Sequence, residues 1–380
     1  MKKHRIGITG QAGFVGNHLY TTLSLLDNVE LIYFERLFFE NEDQLTQFVS
    51  KCDTIVHLAA MNRHEDQNVI YQTNIDLVEK LIKACERANT TPHIIFSSSS
   101  QEVKDNLYGR SKKEGKQKLV KWAKESGGKF TSLTIPNVFG PFGKPNYNSV
   151  VATFCHKVAN DENPTIINDG EVGLIYINDL VKVFVDTIFG NQPSNTLEEN
   201  SFEVNIEPMH QVKVSRLLEL LNKFKADYLK NGIFPNLDDH FQKSLFNTFR
   251  CYIPEAHYPV KYTKHTDPRG SFVEIARTQT SGQFSFSTTV PGITRGNHFH
   301  TRKAERFAVI SGKARIQLRK IGTDHVINYD LDGNEPAYVD MPIWYTHNIT
   351  NTGDTELITL FWINEPYDPD DADTYFENVE

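Results

Sequence analysis

The sequence predicts an α/β doubly wound parallel sheet followed by an all-β jelly-roll barrel in one chain of 380 residues. Three observations carry that reading. Short β-rich runs alternate with helical patterns through the first half, the βαβ rhythm of a parallel sheet. A glycine-punctuated turn, Gly10 to Gly16, joins the first strand to the first helix. Beyond about Tyr252 the helical patterns give way to short alternating strands separated by turn residues, the texture of an antiparallel barrel.

Taken in order, the runs are Arg5–Thr9, Glu30–Phe34, Thr54–Leu58, Ile94–Ser97 and Thr131–Ile135 as strands. Between and after them fall helical patterns at Asn17–Leu26, Val69–Arg87, Ser111–Glu125 and Val150–Val158. In the barrel half the strands are Ser271–Arg277, Gln283–Thr289, Phe307–Ile310, Ala314–Arg319 and Leu357–Trp362. A helix rich in Phe and Leu ends near Arg250, and Ile253-Pro254 is a breaker suited to a domain joint. The expected domains are therefore 1–250 and 251–370, with an acidic tail over 371–380; the chain from Asp368 is acidic enough to expect disorder.

Composition narrows the function classes. A chain with 39% hydrophobic and 23% charged residues is that of a water-soluble globular protein, and no apolar run is long enough to span a bilayer. Met1 to Arg5 is basic like the start of a signal peptide, but Ile6 to Gly16 lacks a sustained apolar core and reads as a first strand. The four cysteines are scattered without a CxxC pair, which fits a reducing, cytoplasmic setting. A net charge of −8 gives no basic face for nucleic acid.

The turn Thr9-Gly10-Gln11-Ala12-Gly13-Phe14-Val15-Gly16 follows a strand and opens a helix. Gly10 permits the tight turn, Gly13 lets the backbone approach a pyrophosphate, and Gly16 lets the helix pack closely on the sheet. This is the loop of a Rossmann-like dinucleotide site. At the end of the second strand stand Glu35 and Arg36. An acidic residue there suits the ribose hydroxyls of NAD, whereas arginine pairs with the 2′-phosphate of NADP; Arg36 tips the expectation to NADPH.

Downstream, Tyr108-Gly109-Arg110-Ser111-Lys112 places a phenol and an ammonium four residues apart, on one helix face. A neighbouring ammonium favours the tyrosinate and makes the phenol a better proton shuttle, and a serine hydroxyl can bond the same substrate oxygen. Alone, such a pair is commonly a solvated helix face. After a serine-rich strand end, Ser97 to Ser100, and a dinucleotide loop, it points to carbonyl reduction.

These segments resemble the extended short-chain dehydrogenase/reductase family. The matching residues are 9–16, Asp53 with His57-Leu58-Ala59-Ala60, Asn74, the serines at 97–100, 108–112, and Asn137-Val138-Phe139-Gly140-Pro141. The resemblance implies that Tyr108 donates or accepts the proton, that Lys112 also holds the nicotinamide ribose, and that a serine polarises the carbonyl. By position that serine is Ser99, to within one residue. It also implies cofactor contacts at Leu58 and Ala59 and a substrate contact at Asn137. Two features depart from the family: the serine-to-tyrosine segment is short, and its usual arginine has no counterpart in Gly170–Asp179.

In the barrel half, Gly292 is followed after five residues by His298-Phe299-His300, after four more by Glu305 and after six more by Gly312, and His347 follows at a distance. Residues two apart in a strand share a face, so His298 and His300 can both look into the barrel. Three imidazoles and a carboxylate suit zinc, although ligand type alone leaves iron, manganese and nickel open. The pattern resembles the cupin superfamily, matching its first motif fully and its second in part. Asp267 to Glu274, followed by Arg295-Gly296-Asn297-His298, is also similar to nucleotide-sugar 3,5-epimerases with a cupin barrel. That similarity implies substrate contacts from Arg269 and Arg295 and a base at His298, which is also the first metal ligand; the two roles compete for one ring.

As a whole, the chain resembles the bifunctional enzymes of capsular polysaccharide biosynthesis that make the UDP-N-acetyl-L-fucosamine precursor. The resemblance implies C3 epimerisation of a UDP-2-acetamido-2,6-dideoxy-hexos-4-ulose at the cupin and NADPH reduction at C4 to a UDP-2-acetamido-2,6-dideoxy-L-talose, in a homodimer. The alternative is a reductase alone, with a non-catalytic metal-binding barrel that serves dimerisation or stability.

Overall fold

The structure is a computed structural model that describes residues 2–262, 265–267, 270–272, 276–278, 283–365 and 369–380. Its contacts form two compact units: one of 1–139, 146–149 and 170–213, the other of 140–145, 150–169 and 214–380.

The first unit is the doubly wound sheet. Its elements are β1 (His4–Thr9), α1 (Phe14–Ser24), β2 (Val29–Ile32), α2 (Glu42–Ser50), β3 (Thr54–His57), α3 (Gln67–Arg87), β4 (His93–Ser99), α4 (Leu107–Ser126), β5 (Phe130–Ile135) and β6 (Asn137–Phe139). After α5 (Val150–Ala159), which packs in the second unit, come β7 (Glu171–Tyr176), α6 (Ile177–Ile188), β8 (Asn195–Glu198), β9 (Ser201–Asn205) and β10 (His210–Lys213). The main sheet has seven strands in the order β2-β1-β3-β4-β5-β9-β8, parallel except at β8. Strands buried on both faces need continuous apolar runs. Ile55, Val56, Ile94 and Ile95 supply them, with Phe48, Leu81, Leu119 and Trp122 packing from the helices.

The order reverses between β1 and β3, and the carboxyl ends of the strands gather beside that point, where ligands bind in open α/β sheets. A smaller sheet, β10-β7-β6, adds a wall.

The second unit holds α5, helices Val214–Phe224 and His240–Arg250, and the barrel. Two five-stranded antiparallel sheets form the barrel. One contains Glu305–Ser311, the other Thr294–Phe299 and Tyr345–Asn351. Val309, Ile316, Leu318, Val339 and Ile349 form its apolar core.

The acidic tail is not disordered, contrary to the expectation from its composition. Tyr375–Phe376 pairs with Thr294–Phe299, and Val379 is buried. The reason is that its carboxylates meet partners: Asp373 accepts three backbone N–H bonds, which offsets the cost of ordering a charged segment.

Candidate functional sites

In the first unit, the turn after β1 has the geometry of a phosphate cradle. Gly10 has φ of +78°, and a β-carbon there would lie 2.9 Å from the Ala59 nitrogen. A β-carbon on Gly16 would lie 2.2 Å from the Gly10 carbonyl oxygen, so only glycine lets α1 start this close to the strand. Gly13 caps α1 without a side-chain bond, and the first turn carries no acidic residue. The N–H groups at Phe14 and Val15 therefore open on a helix terminus suited to an anion. Leu58 and Ala59 flank the turn, their N–H groups bonded to the Thr9 carbonyl and hydroxyl. Arg36 is exposed and has no ion-pair partner among the described residues, while Glu35 accepts from the Tyr33 hydroxyl.

The chemistry-bearing side chains lie at the carboxyl end of β4. Strand alternation sends successive serines to opposite sides. Ser97 donates to the His57 carbonyl, Ser98 bonds Glu102, and Ser99 accepts from the Gln101 N–H at 3.2 Å. Of these serines, Ser99 is the one that acts on the ionisation of the Tyr108 phenol. Burial holds Tyr108 above the ordinary tyrosine range, and the nearby Ser99 hydroxyl opposes this. Lys112, one helical turn on, is 3% exposed; its ammonium donates to the Ser97 carbonyl at 2.8 Å and lies 4.9 Å from the Phe96 ring centre. Burial brings its pKa down to about 8, against the pull of Glu102.

Two supports were not legible as such. Asn74 ties the segment after β3 to α4 by exchanging bonds with the Met61 backbone at 2.7 and 2.9 Å and donating to Ser111. His57, fully buried, bonds the Thr9 hydroxyl at 2.7 Å and stacks on Phe96; burial drops it to about 3, so the ring is neutral beside the Lys112 ammonium. Asn137 lines a pocket of about 350 Å³ at these strand ends, together with Ser100, Asn205, Glu207 and Gln211. The last three carried no motif and were missed.

In the second unit, the ligand atoms of His298, His300, Glu305 and His347 all lie within 4.8 Å of one another. Glu305 Oε2 is 3.1 Å from both His300 Nε2 and His347 Nε2, yet none of the three atoms has a hydrogen bond of proper geometry. Buried polar atoms without partners, aimed at one point, are the donor set of a cation site. The outer ring nitrogens agree. His300 Nδ1 donates to the Asp373 carbonyl at 2.5 Å and His347 Nδ1 to that of Tyr345 at 3.3 Å, which turns both Nε2 lone pairs inward. Burial lowers His298 to about 4, and His300 and His347 hold the Glu305 carboxyl far below its ordinary range. These residues fit a divalent metal.

Arg295 is exposed. A bulge between Gly296 and His298 sets Arg295 opposite Ile349 and His298 opposite His347, so both arginine and histidine take the same face although three residues apart. Arg269, and with it the side chains of Asp267 to Glu274, lies outside the described residues.

Fold and sites together define a two-unit protein: a dinucleotide-fold unit with a Ser/Tyr/Lys set, and a barrel with a cation-binding cluster. Residues 6–189 match the NAD dependent epimerase/dehydratase family, and residues 265–375 the polysaccharide biosynthesis C-terminal domain. The chain is 34% identical to the UDP-2-acetamido-2,6-beta-L-arabino-hexul-4-ose reductase of Pseudomonas aeruginosa, over 98% of each chain. It is 36% identical to the capsular polysaccharide assembling protein CapF of Staphylococcus aureus, covering 98% of this chain and 99% of that one with a TM-score of 0.61. The spore coat polysaccharide biosynthesis protein SpsL of Bacillus subtilis is 26% identical over 30% of this chain and 82% of its own length. The chain belongs to the family of capsular polysaccharide biosynthesis proteins that these full-length relatives represent.

Proposed function

We propose that the chain is a bifunctional nucleotide-sugar enzyme that epimerises C3 of a UDP-2-acetamido-2,6-dideoxy-hexos-4-ulose at the barrel and reduces its C4 ketone in the first unit. The observation that carries the reductase is the Tyr108 phenol with the buried Lys112 ammonium 5.8 Å from its ring centre, beside the serine-rich end of β4 at the sheet edge that holds the Asn137 pocket. The Pseudomonas relative is named as a reductase of such a 4-keto sugar.

Bound NADPH would supply the hydride, with Gly10, Gly13, Phe14, Val15, Gly16, Leu58 and Ala59 to hold its pyrophosphate and Arg36 to hold its 2′-phosphate. The protein's part is proton management. Ser99 holds the C4 oxygen, Tyr108 gives it a proton as the alcohol forms, and the Lys112 ammonium stabilises the tyrosinate left behind. Asn137 orients the sugar.

At the barrel, His298, His300, Glu305 and His347 hold a divalent cation, zinc by the mix of ligands, which supplies Lewis-acid polarisation of a carbonyl. Arg295 and Arg269 serve the substrate's anionic part. His298, at the rim, is assigned to the cluster as a ligand, and its loss stops C3 exchange whether it binds the cation or takes the proton. The reading includes a cytoplasmic homodimer.

The test is NMR of the products from a UDP-4-keto-6-deoxy-N-acetylhexosamine in deuterated water. Tyr108→Phe abolishes NADPH oxidation and leaves deuterium entering C3; His298→Ala blocks the deuterium. Loss of both activities in either variant refutes the division of labour.

A further inference from the structure

The C-terminal segment approaches the cluster from outside and binds the loop that separates two of its members. Between His300 and Glu305 the backbone turns through Thr301, Arg302, Lys303 and Ala304. Its successive N–H groups at Thr301, Arg302 and Lys303 all donate to the Asp373 carboxylate, at 3.1, 3.0 and 3.1 Å, and the Thr301 hydroxyl adds a fourth bond at 2.6 Å. Three consecutive amides around one carboxylate form an anion nest. Asp373 is buried and has φ of +44°, a left-handed conformation that aspartate tolerates better than most residues. In that conformation its own carbonyl also reaches the loop's start, where it accepts from His300 Nδ1.

The segment is anchored on both sides of this contact. Lys303 Nζ donates to the Ala372 carbonyl at 2.6 Å, and Arg302 pairs with Asp371 at 2.6 Å. Beyond it, Tyr375 stacks on Phe299, the residue between His298 and His300, and the strand pairs Phe376 with His298. Glu377 N–H donates to the Asn297 carbonyl.

We propose that residues 371–379 act as a strap for the metal cluster, with Asp373 as its positioning residue. Through its carboxylate Asp373 fixes the loop that spaces His300 from Glu305, and through its carbonyl it fixes the Nδ1–H tautomer of His300. The inference rests on the cluster's being a metal site, but its tautomer half stands without metal. Outer-shell partners of metal ligands are worth about 10–100-fold in metal affinity.

The experiment uses the full chain, its Asp373→Ala variant, and Asp373→Asn as the conservative variant that keeps the shape and an acceptor oxygen. Zinc and cobalt affinities are measured by competition with a chromophoric chelator. Long-range proton–nitrogen NMR of the metal-free proteins reads each histidine's tautomer, and thermal melts verify folding. Asp373→Ala is expected to weaken both metals by about 10–100-fold and to release His300 to a tautomer mixture while His347 keeps its Nδ1–H form, with Asp373→Asn between. Affinities within twofold of the parent chain, or a His300 tautomer unchanged in a folded Asp373→Ala protein, overturn the proposal. A parent chain that binds neither metal overturns the metal reading instead, and the metal-free tautomer comparison then decides the strap.

Discussion

Lys112 shows how one buried charge ties stability to activity. Desolvation opposes its ammonium, the Ser97 carbonyl and the Phe96 ring face partly replace water, and the pKa settles at about 8 rather than 10.5. Because the folded value lies below the unfolded one, the unfolded chain binds more protons between these values. This residue's contribution to stability therefore rises as the pH climbs from about 8 toward 10.5. Activity moves the other way, since only the ammonium supports the tyrosinate. The expected kcat/KM for ketone reduction falls above about pH 8, while Tyr108, held above its ordinary value of 10, stays protonated. In Lys112→Arg, whose guanidinium does not titrate there, the fall between pH 7 and 9.5 should vanish although the rate itself drops. A pH profile of Lys112→Arg that still declines assigns the step elsewhere. At this scale the sequence was informative wherever spacing implies geometry: glycines at a strand–helix turn, Tyr and Lys on one helix face, histidines two apart in a strand. It was silent on Asp373, whose partners lie about seventy residues upstream and are backbone amides that leave no trace in residue identity.

Among the elements, α4 positions the reductive pair, and its start is set by a cap rather than by apolar periodicity. The periodic pattern predicts a helix from Ser111, yet α4 begins at Leu107 because the Asn106 side chain accepts from the Gly109 N–H at 2.7 Å. The early start matters: it brings Tyr108 into the first turn and Lys112 into the second. Asn106→Ala should cost about 1 kcal/mol in stability and lower kcat for reduction severalfold with little change in KM, because fraying reaches the phenol before the pocket. Urea unfolding and steady-state kinetics read the two effects separately, and an unaltered kcat in a destabilised variant would show that the cap serves stability alone. In the strand-rich half alternation predicts Gln283–Thr289 in full and leaves Glu305–Ser311 three residues short and Lys313–Lys320 two short. Strand ends are fixed by cross-strand partners, as Glu305 is by Met341 and Ile363, and such pairing is invisible to a local pattern. The tail strand escaped notice for the same reason: acidic residues outnumber apolar ones there, and only the register with His298 and Phe299 makes it a strand.

Across the whole molecule, texture and packing divide the chain differently. Texture changes near Tyr252, whereas α5 and the helices at 214–224 and 240–250 pack in the unit that contains the barrel. Which face a helix buries depends on surfaces supplied from elsewhere in the chain. What joins the two units functionally in the proposed reading is the chemistry of one sugar. A proton on C3 is acidic only while C4 is a ketone, because the negative charge left behind needs the carbonyl oxygen, stabilised by a cation or donors, to receive it. Once Tyr108 and the hydride have made C4 an alcohol, the barrel has no acidic proton to remove, so epimerisation must precede reduction and reduction draws it forward. Without NADPH, the parent chain in deuterated water should exchange the C3 proton of the 4-keto sugar. The isolated alcohol product, incubated with the same protein and no NADP, should gain no deuterium at C3 over the same period. With limiting NADPH, product formed early should already carry deuterium at C3 and none at C5. Exchange into the alcohol would mean that the barrel activates C3 without the neighbouring ketone, and the enforced order, together with the coupling it implies, would fail.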